Sequence, residues 1–320
     1  MTSTAACGDS CFNAGPINVG NLAGNRFDAG DMAAADEVLR QGQQLVAAND
    51  GLSAQAGALQ ALRTLALTYL GRYRDALVQA ELGADSMRLH QSGREAYARL
   101  NLARVWWHLG QWTRMLQELD AAAAEASVQR YTRALHARLA MAAAWAVPLD
   151  RNAQAAAREA LEVAATEFAD NTRPDLGMAM AIDLAGLAEP KDAVRQLRAV
   201  RKRAQAIGHS GIVLATHIRA AAAAAGHDPE VARSEALQAL ALADQGRQTT
   251  ALLPAELWLH SARALLAAQD PQAQSVLQQG RDWLLRTADE QVPEPFRDSF
   301  LNRNPVNREL LALASRLLGR

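Results

Sequence analysis

The chain has 320 residues, 33 basic against 34 acidic, for a net charge of −1, and half of it is hydrophobic. Balanced charge argues against nucleic-acid or membrane-surface binding by bulk electrostatics. Alanine at roughly a fifth, leucine at about a seventh and aromatics at only 5% argue against a mainly β fold, and no window is a continuous apolar run of membrane-spanning length.

Residues 1–16 carry neither a basic leader nor the apolar stretch of a signal peptide, and Cys7 follows Ser3, Thr4, Ala5 and Ala6 instead of a hydrophobic run. A cytoplasmic location is expected, with this segment as a flexible tail. Cys7 and Cys11 are the only cysteines and the first histidine is His90, so a four-ligand zinc site has no local completion. They read as two thiols on the tail, and no metal site is expected.

From residue 17 onward the chain is punctuated. Helix-breaking clusters recur at Gly30, Gly71, Gly110, Asp150, Glu189, Gly226 and Asp270, six intervals that average 40 residues. Pro148, Pro190, Pro229 and Pro271 sit in or beside these turns, while Pro174 and Pro254 fall in the opposite connections, where a helix can start but not continue. Each unit reads as helix, short turn, helix. In the second, Leu62, Leu65, Ala66, Tyr69 and Leu70 recur at helical steps, Gly71-Arg72-Tyr73 turns the chain, and Ala76, Leu77 and Ala80 resume the pattern. The third repeats this with Leu102, Ala103, Trp106, Trp107 and Leu109 before Gly110-Gln111-Trp112, then Leu116 and Leu119. Five places after the turn glycine stand Ala35 and Ala76, where two antiparallel helices must approach closely. Met115 replaces that alanine in the third unit, which predicts looser packing there.

A small residue (Ala23, Ala103) and a leucine (Leu22, Leu102) in the first helix, the turn glycine, an aromatic two later and the alanine at the close contact together resemble the tetratricopeptide repeat (TPR) family. The resemblance is clearest in units one to three, and the 40-residue spacing implies helices longer than those of the common repeat of about 34 residues. It implies an all-α fold: one α-solenoid of about seven TPR-like antiparallel hairpins over 17–291, without an internal domain boundary, because each hairpin's apolar face is covered only by a neighbour. Residues 292–320 break the rhythm. Val292-Pro293-Glu294-Pro295 opens a short helix with Phe296, Phe300 and Leu301, and Asn304-Pro305 leads into a last helix with Leu310, Leu311, Leu313, Leu317 and Leu318, a predicted pair of capping helices. This terminal string also resembles the segment closing the TPR regions of MalT-like ATPase regulators and ATPase-linked adenylate cyclases, in which the repeats sense or dock while another domain performs chemistry.

No phosphate loop, His-Glu-x-x-His pair or dinucleotide fingerprint is present, so no catalytic residue and no cofactor are expected. Gly208-His209-Ser210-Gly211 lacks the last spaced glycine of a nucleophile elbow and reads as an inter-helix turn. The seven histidines are scattered. Arg195, Arg198 and Lys202 form a basic stripe on a second helix, opposite Val194, Leu197, Val200 and Ala204, and read as a solvated outer face without direct nucleic-acid contact. First helices line the concave side of such a stack. That inner wall is expected to carry Tyr69, Tyr97, Arg104, Trp107 and His108 as a groove for a protein or peptide partner, with a small-molecule or peptide signal as the alternative occupant. Trp106 and Trp107 lie about 100° apart around one helix; Trp106 is assigned to the core and Trp107 to the groove. Further along, Ala140, Ala144, Ala264 and Ala267 predict a smoother wall.

Overall fold

A computed structural model describes residues 16–49, 52, 55–90, 94–126, 129–146, 151–168 and 174–319, so the tail with both cysteines and the turn at 147–150 lie outside the described residues. Seven helical hairpins follow one another: α1 (Pro16–Asp28) with α2 (Met32–Ala47), α3 (Ala56–Tyr69) with α4 (Tyr73–Leu89), α5 (Glu95–His108) with α6 (Trp112–Ala126), α7 (Arg130–Ala146) with α8 (Arg151–Glu167), α9 (Pro174–Ala185) with α10 (Pro190–Ala206), α11 (Ser210–Ala224) with α12 (Pro229–Asp244), and α13 (Glu256–Ala267) with α14 (Ala273–Glu290). A single 3-10 turn (Glu294–Phe296) then leads to α15 (Arg297–Asn302) and α16 (Pro305–Leu318). Among the described residues there is no strand, and no helix is long and apolar enough to cross a membrane. The molecule is an all-α solenoid of helical hairpins, TPR-like in arrangement.

The helices begin and end where the backbone chemistry dictates. Pro190, Pro229 and Pro305 stand in the first turns of α10, α12 and α16, where the missing N–H costs nothing. Asp31 accepts from the Ala34 N–H (3.0 Å) and Asp228 from the Val231 N–H (3.1 Å), capping α2 and α12. Ala35 and Ala76 are fully buried where paired helices meet. Met115, which replaces that alanine in the third hairpin, is equally inaccessible, its unbranched thioether filling the contact.

The odd-numbered helices α1 to α13 touch one another in sequence, forming an inner layer, and the even-numbered helices α2 to α14 lie outside them. The basic stripe is on the outer layer. Arg195 pairs with Asp192 (2.9 Å), Lys202 is exposed, Arg198 is exposed but reaches Glu235 at 3.7 Å, and the neighbouring Arg201 turns inward, 2.8 Å from the same carboxylate, which also holds His217 (2.6 Å).

The stack does not remain an open arc. Its coil is about five hairpins long, so early hairpins meet late ones edge to edge. Gly30 of hairpin one accepts from the Gln248 N–H (2.9 Å), and Arg247 donates to the Ala29 carbonyl (3.0 Å), both from the loop between hairpins six and seven. Arg74 of hairpin two donates from its backbone N–H to the Gln291 carbonyl (2.9 Å), after hairpin seven. In hairpin three the Leu109 carbonyl accepts from the Ser299 hydroxyl (2.7 Å) and the His108 carbonyl from the Asn304 amide (3.0 Å). The terminal helices thus occupy the place of an eighth hairpin, with α16 packed on α13 and α14. Tyr73–Phe300 and Trp106–Phe296 ring contacts (5.4 and 5.3 Å) seal the seam with apolar surface.

Candidate functional site

Winding the inner layer round encloses space that a flat stack would leave open. Two cavities of about 410 and 1050 Å³ lie inside the coil, and both are bordered by Arg104 and Arg138, which stand where they adjoin. The smaller is walled mainly by apolar side chains, including Trp107, Leu135, Leu139, Trp145, Leu253 and Leu259. The larger carries Leu62, Leu65, Tyr97, Tyr131 and Ile212, with Asn21 and Asn25 one turn apart on α1.

The expected groove residues divide. Tyr69, Arg104 and Trp107 border the smaller cavity and Tyr97 the larger. Trp106 is 5% exposed and packs against Phe296, while its neighbour Trp107 stays partly open to the cavity. His108 is not on the wall. It is 1% exposed, with Tyr69, Trp107 and Tyr73 rings 5.0, 5.5 and 5.9 Å away and the Tyr73 hydroxyl 3.3 Å from Nδ1. The physical reason is coil closure: the end of α5 is covered by the Asn304 turn, which bonds the His108 carbonyl.

Sequence reasoning missed the other half of the wall. Ala144 and Ala264 are buried behind it, and α7 instead presents Arg138, Ala142 and Trp145. The signal was available, since these three lie at i, i+4 and i+7 on one helical face. Glu256 and His260 from α13 and Arg219 from α11 belong to the same wall.

Most charges here neutralise each other. Arg138 meets Asp183 at 2.6 Å and donates to the Ala251 carbonyl (2.9 Å). Arg219 meets Glu256 at 3.0 Å, His260 lies 3.5 Å from the same oxygen, and Glu309 meets Arg263 at 3.0 Å. Burial alone would raise the Glu256 pKa, but the Arg219 charge, His260 and the Leu253 N–H together hold this carboxyl below its usual range. In the larger cavity His209 lies 2.9 Å from Asp28. Arg104 differs. It is 6% exposed, its guanidinium donates to Asn101 Oδ1 (3.2 Å) and lies 5.9 Å from the Tyr69 ring centre, and no carboxylate among the described residues pairs with it. A buried guanidinium without a counter-charge is costly, so an anion brought to it is stabilised.

No group of three or more His, Cys, Asp or Glu among the described residues is arranged to hold a metal ion. No protein-family model matches the chain, and no curated protein matches it significantly.

Proposed function

We propose that this chain is a non-catalytic, TPR-type binding module, a docking scaffold or sensor of a bacterial signalling system comparable to the repeat regions of MalT-like regulators, and that it takes its partner inside the coil. One observation carries the reading: the inner layer encloses aromatic cavities at whose junction stands a buried cation without a counter-charge. The size of that space favours an extended peptide or a small signal molecule over a folded domain, since cavities of 300–1,000 Å³ are typical of ligand sites. Mutual pairing of the other wall charges, with Glu256 held ionised, suits recognition better than proton transfer.

The test is to fill the space. Ala142→Trp, on the wall of the smaller cavity, blocks the interior without touching the outer layer. Together with the Trp107→Ala, Arg104→Ala double variant, it is expected to abolish capture of a genetically linked signalling partner or signal molecule while circular dichroism stays unchanged. Undiminished capture by both variants would move the site to the outer surface.

A further inference from the structure

Resting on the interior-site reading above, we infer that the smaller cavity accepts an apolar monocarboxylate, such as a medium-chain or arylalkanoic acid, whose carboxylate pairs with Arg104. The wall composition gives the class. Cations at the wall are Arg104, Arg138 and Arg219; anions are Asp183, Glu256 and Glu309. Every one of these carboxylates already meets a guanidinium, Glu309 that of Arg263, and His260 lies 3.5 Å from Glu256, which leaves Arg104 as the one guanidinium of this wall without a carboxylate among the described residues. One unit of negative charge completes this wall. A dianion such as a phosphate monoester would leave a second negative charge beside the carboxylates of Asp183 and Glu256.

The guanidinium also has the right shape. One N–H is engaged by Asn101 Oδ1, and the rest of the planar fork matches the two oxygens of a carboxylate. Its carbon rests 5.9 Å from the Tyr69 ring centre, which fixes its position before a ligand arrives. Beyond it the wall turns apolar. Trp107, Leu135, Leu139 and Leu259 border the space, and Trp145, although 49% exposed, lines it too. A large indole left half open to water beside an apolar chamber is where an alkyl or aryl chain would be buried. The volume of about 410 Å³ accommodates a small amphiphile.

The experiment titrates the intact chain with octanoate, decanoate, dodecanoate and 4-phenylbutyrate, with their primary amides, and with octyl phosphate, following tryptophan fluorescence and calorimetry. The acids are expected to bind saturably and about tenfold or more tighter than the matching amides, as a charge-assisted bond to a buried guanidinium implies. Arg104→Gln should erase the acid-over-amide preference without lowering the melting temperature, and Arg104→Lys should restore part of it. Absence of saturable acid binding, equal affinity for acid and amide, tighter binding of octyl phosphate, or a preference that survives Arg104→Gln would each overturn the carboxylate assignment. Should Arg104→Gln not fold, the wild-type acid-against-amide and acid-against-phosphate comparisons decide alone. Failure here is distinguishable from failure of the interior site itself: if Ala142→Trp still abolishes partner capture while the acids do not bind, the site stands and its ligand class changes.

Discussion

His108 is held in its neutral form by its surroundings. Burial, reinforced by the charge of Arg104 and opposed by Glu256, pushes its pKa from 6.5 down to about 3. An unfolded chain takes up that proton near the ordinary value, so between these limits the native state binds fewer protons than the unfolded one. Stability is therefore fully present above about pH 6.5 and is lost as pH falls towards 3, with a limiting slope of about 1.4 kcal/mol per pH unit. His108→Phe retains the contacts with Tyr69 and Trp107 and removes the titrating group. Thermal melts from neutral pH downward are expected to show a shallower decline for this variant than for the parent chain. A residual slope remains from His136, also lowered by burial; identical slopes would exclude His108 as a source. This residue also marks where one-dimensional reading stopped. Its place on α5 is legible from helical period, but the turn that covers it comes from Asn304, 196 residues away in sequence.

At the scale of elements, the turn glycines serve two ends. Gly30 and Gly110 take positive φ values of 72° and 67°, which only glycine adopts without strain. They also face the next coil: a Cβ on Gly30 would lie 2.7 Å from the Gln248 carbonyl oxygen, and one on Gly110 would be 2.8 Å from the Asn304 nitrogen. Gly226, at the sixth turn, has neither a positive φ nor any atom within 4 Å of such a Cβ. Gly110→Ala is thus expected to cost about 2 kcal/mol or more, whereas Gly226→Ala should be neutral or stabilise by up to about 1 kcal/mol. Urea denaturation checks this, with Gly208→Ala (φ 75° and nothing within 4 Å of a Cβ) as the measure of backbone strain alone; equal costs for Gly110→Ala and Gly208→Ala would mean that the coil seam contributes nothing. The seven hairpins were readable because turn chemistry is local: a glycine in four of the turns, an aspartate or glutamate close to a proline in the others, and helical spacing either side. The seam was not, because a glycine already explained by its turn gives no sign of a second contact. The inner wall was half readable: Trp107 and Arg104 followed from the clear third unit, while Arg138 and Trp145 lie on α7, whose turn at 147–150 lacks a glycine to set the phase.

For the whole molecule, closure changes how stability is shared. In an open repeat array each unit depends on its immediate neighbours, and losses stay local. Here α15 and α16 touch hairpin three as well as hairpin seven. Deleting 292–320 is therefore expected to raise amide hydrogen exchange at Arg74, whose N–H donates to the Gln291 carbonyl, and around Gly110, as well as along α14. Exchange that increases only along α13 and α14 would show that the coils are held independently.

The five-hairpin pitch also restricts the loss or gain of units inside the chain. Modular ladders gain and lose rungs by duplication with little penalty, because any rung fits any other. In this chain Gly30 finds its mate at Gln248 and Leu109 finds Ser299, so excising a single rung between them would slide every pair out of step by one. Evolution could then vary the lining of the inner space one side chain at a time, but the units between mated pairs would stay in step, as the teeth of meshed gears do.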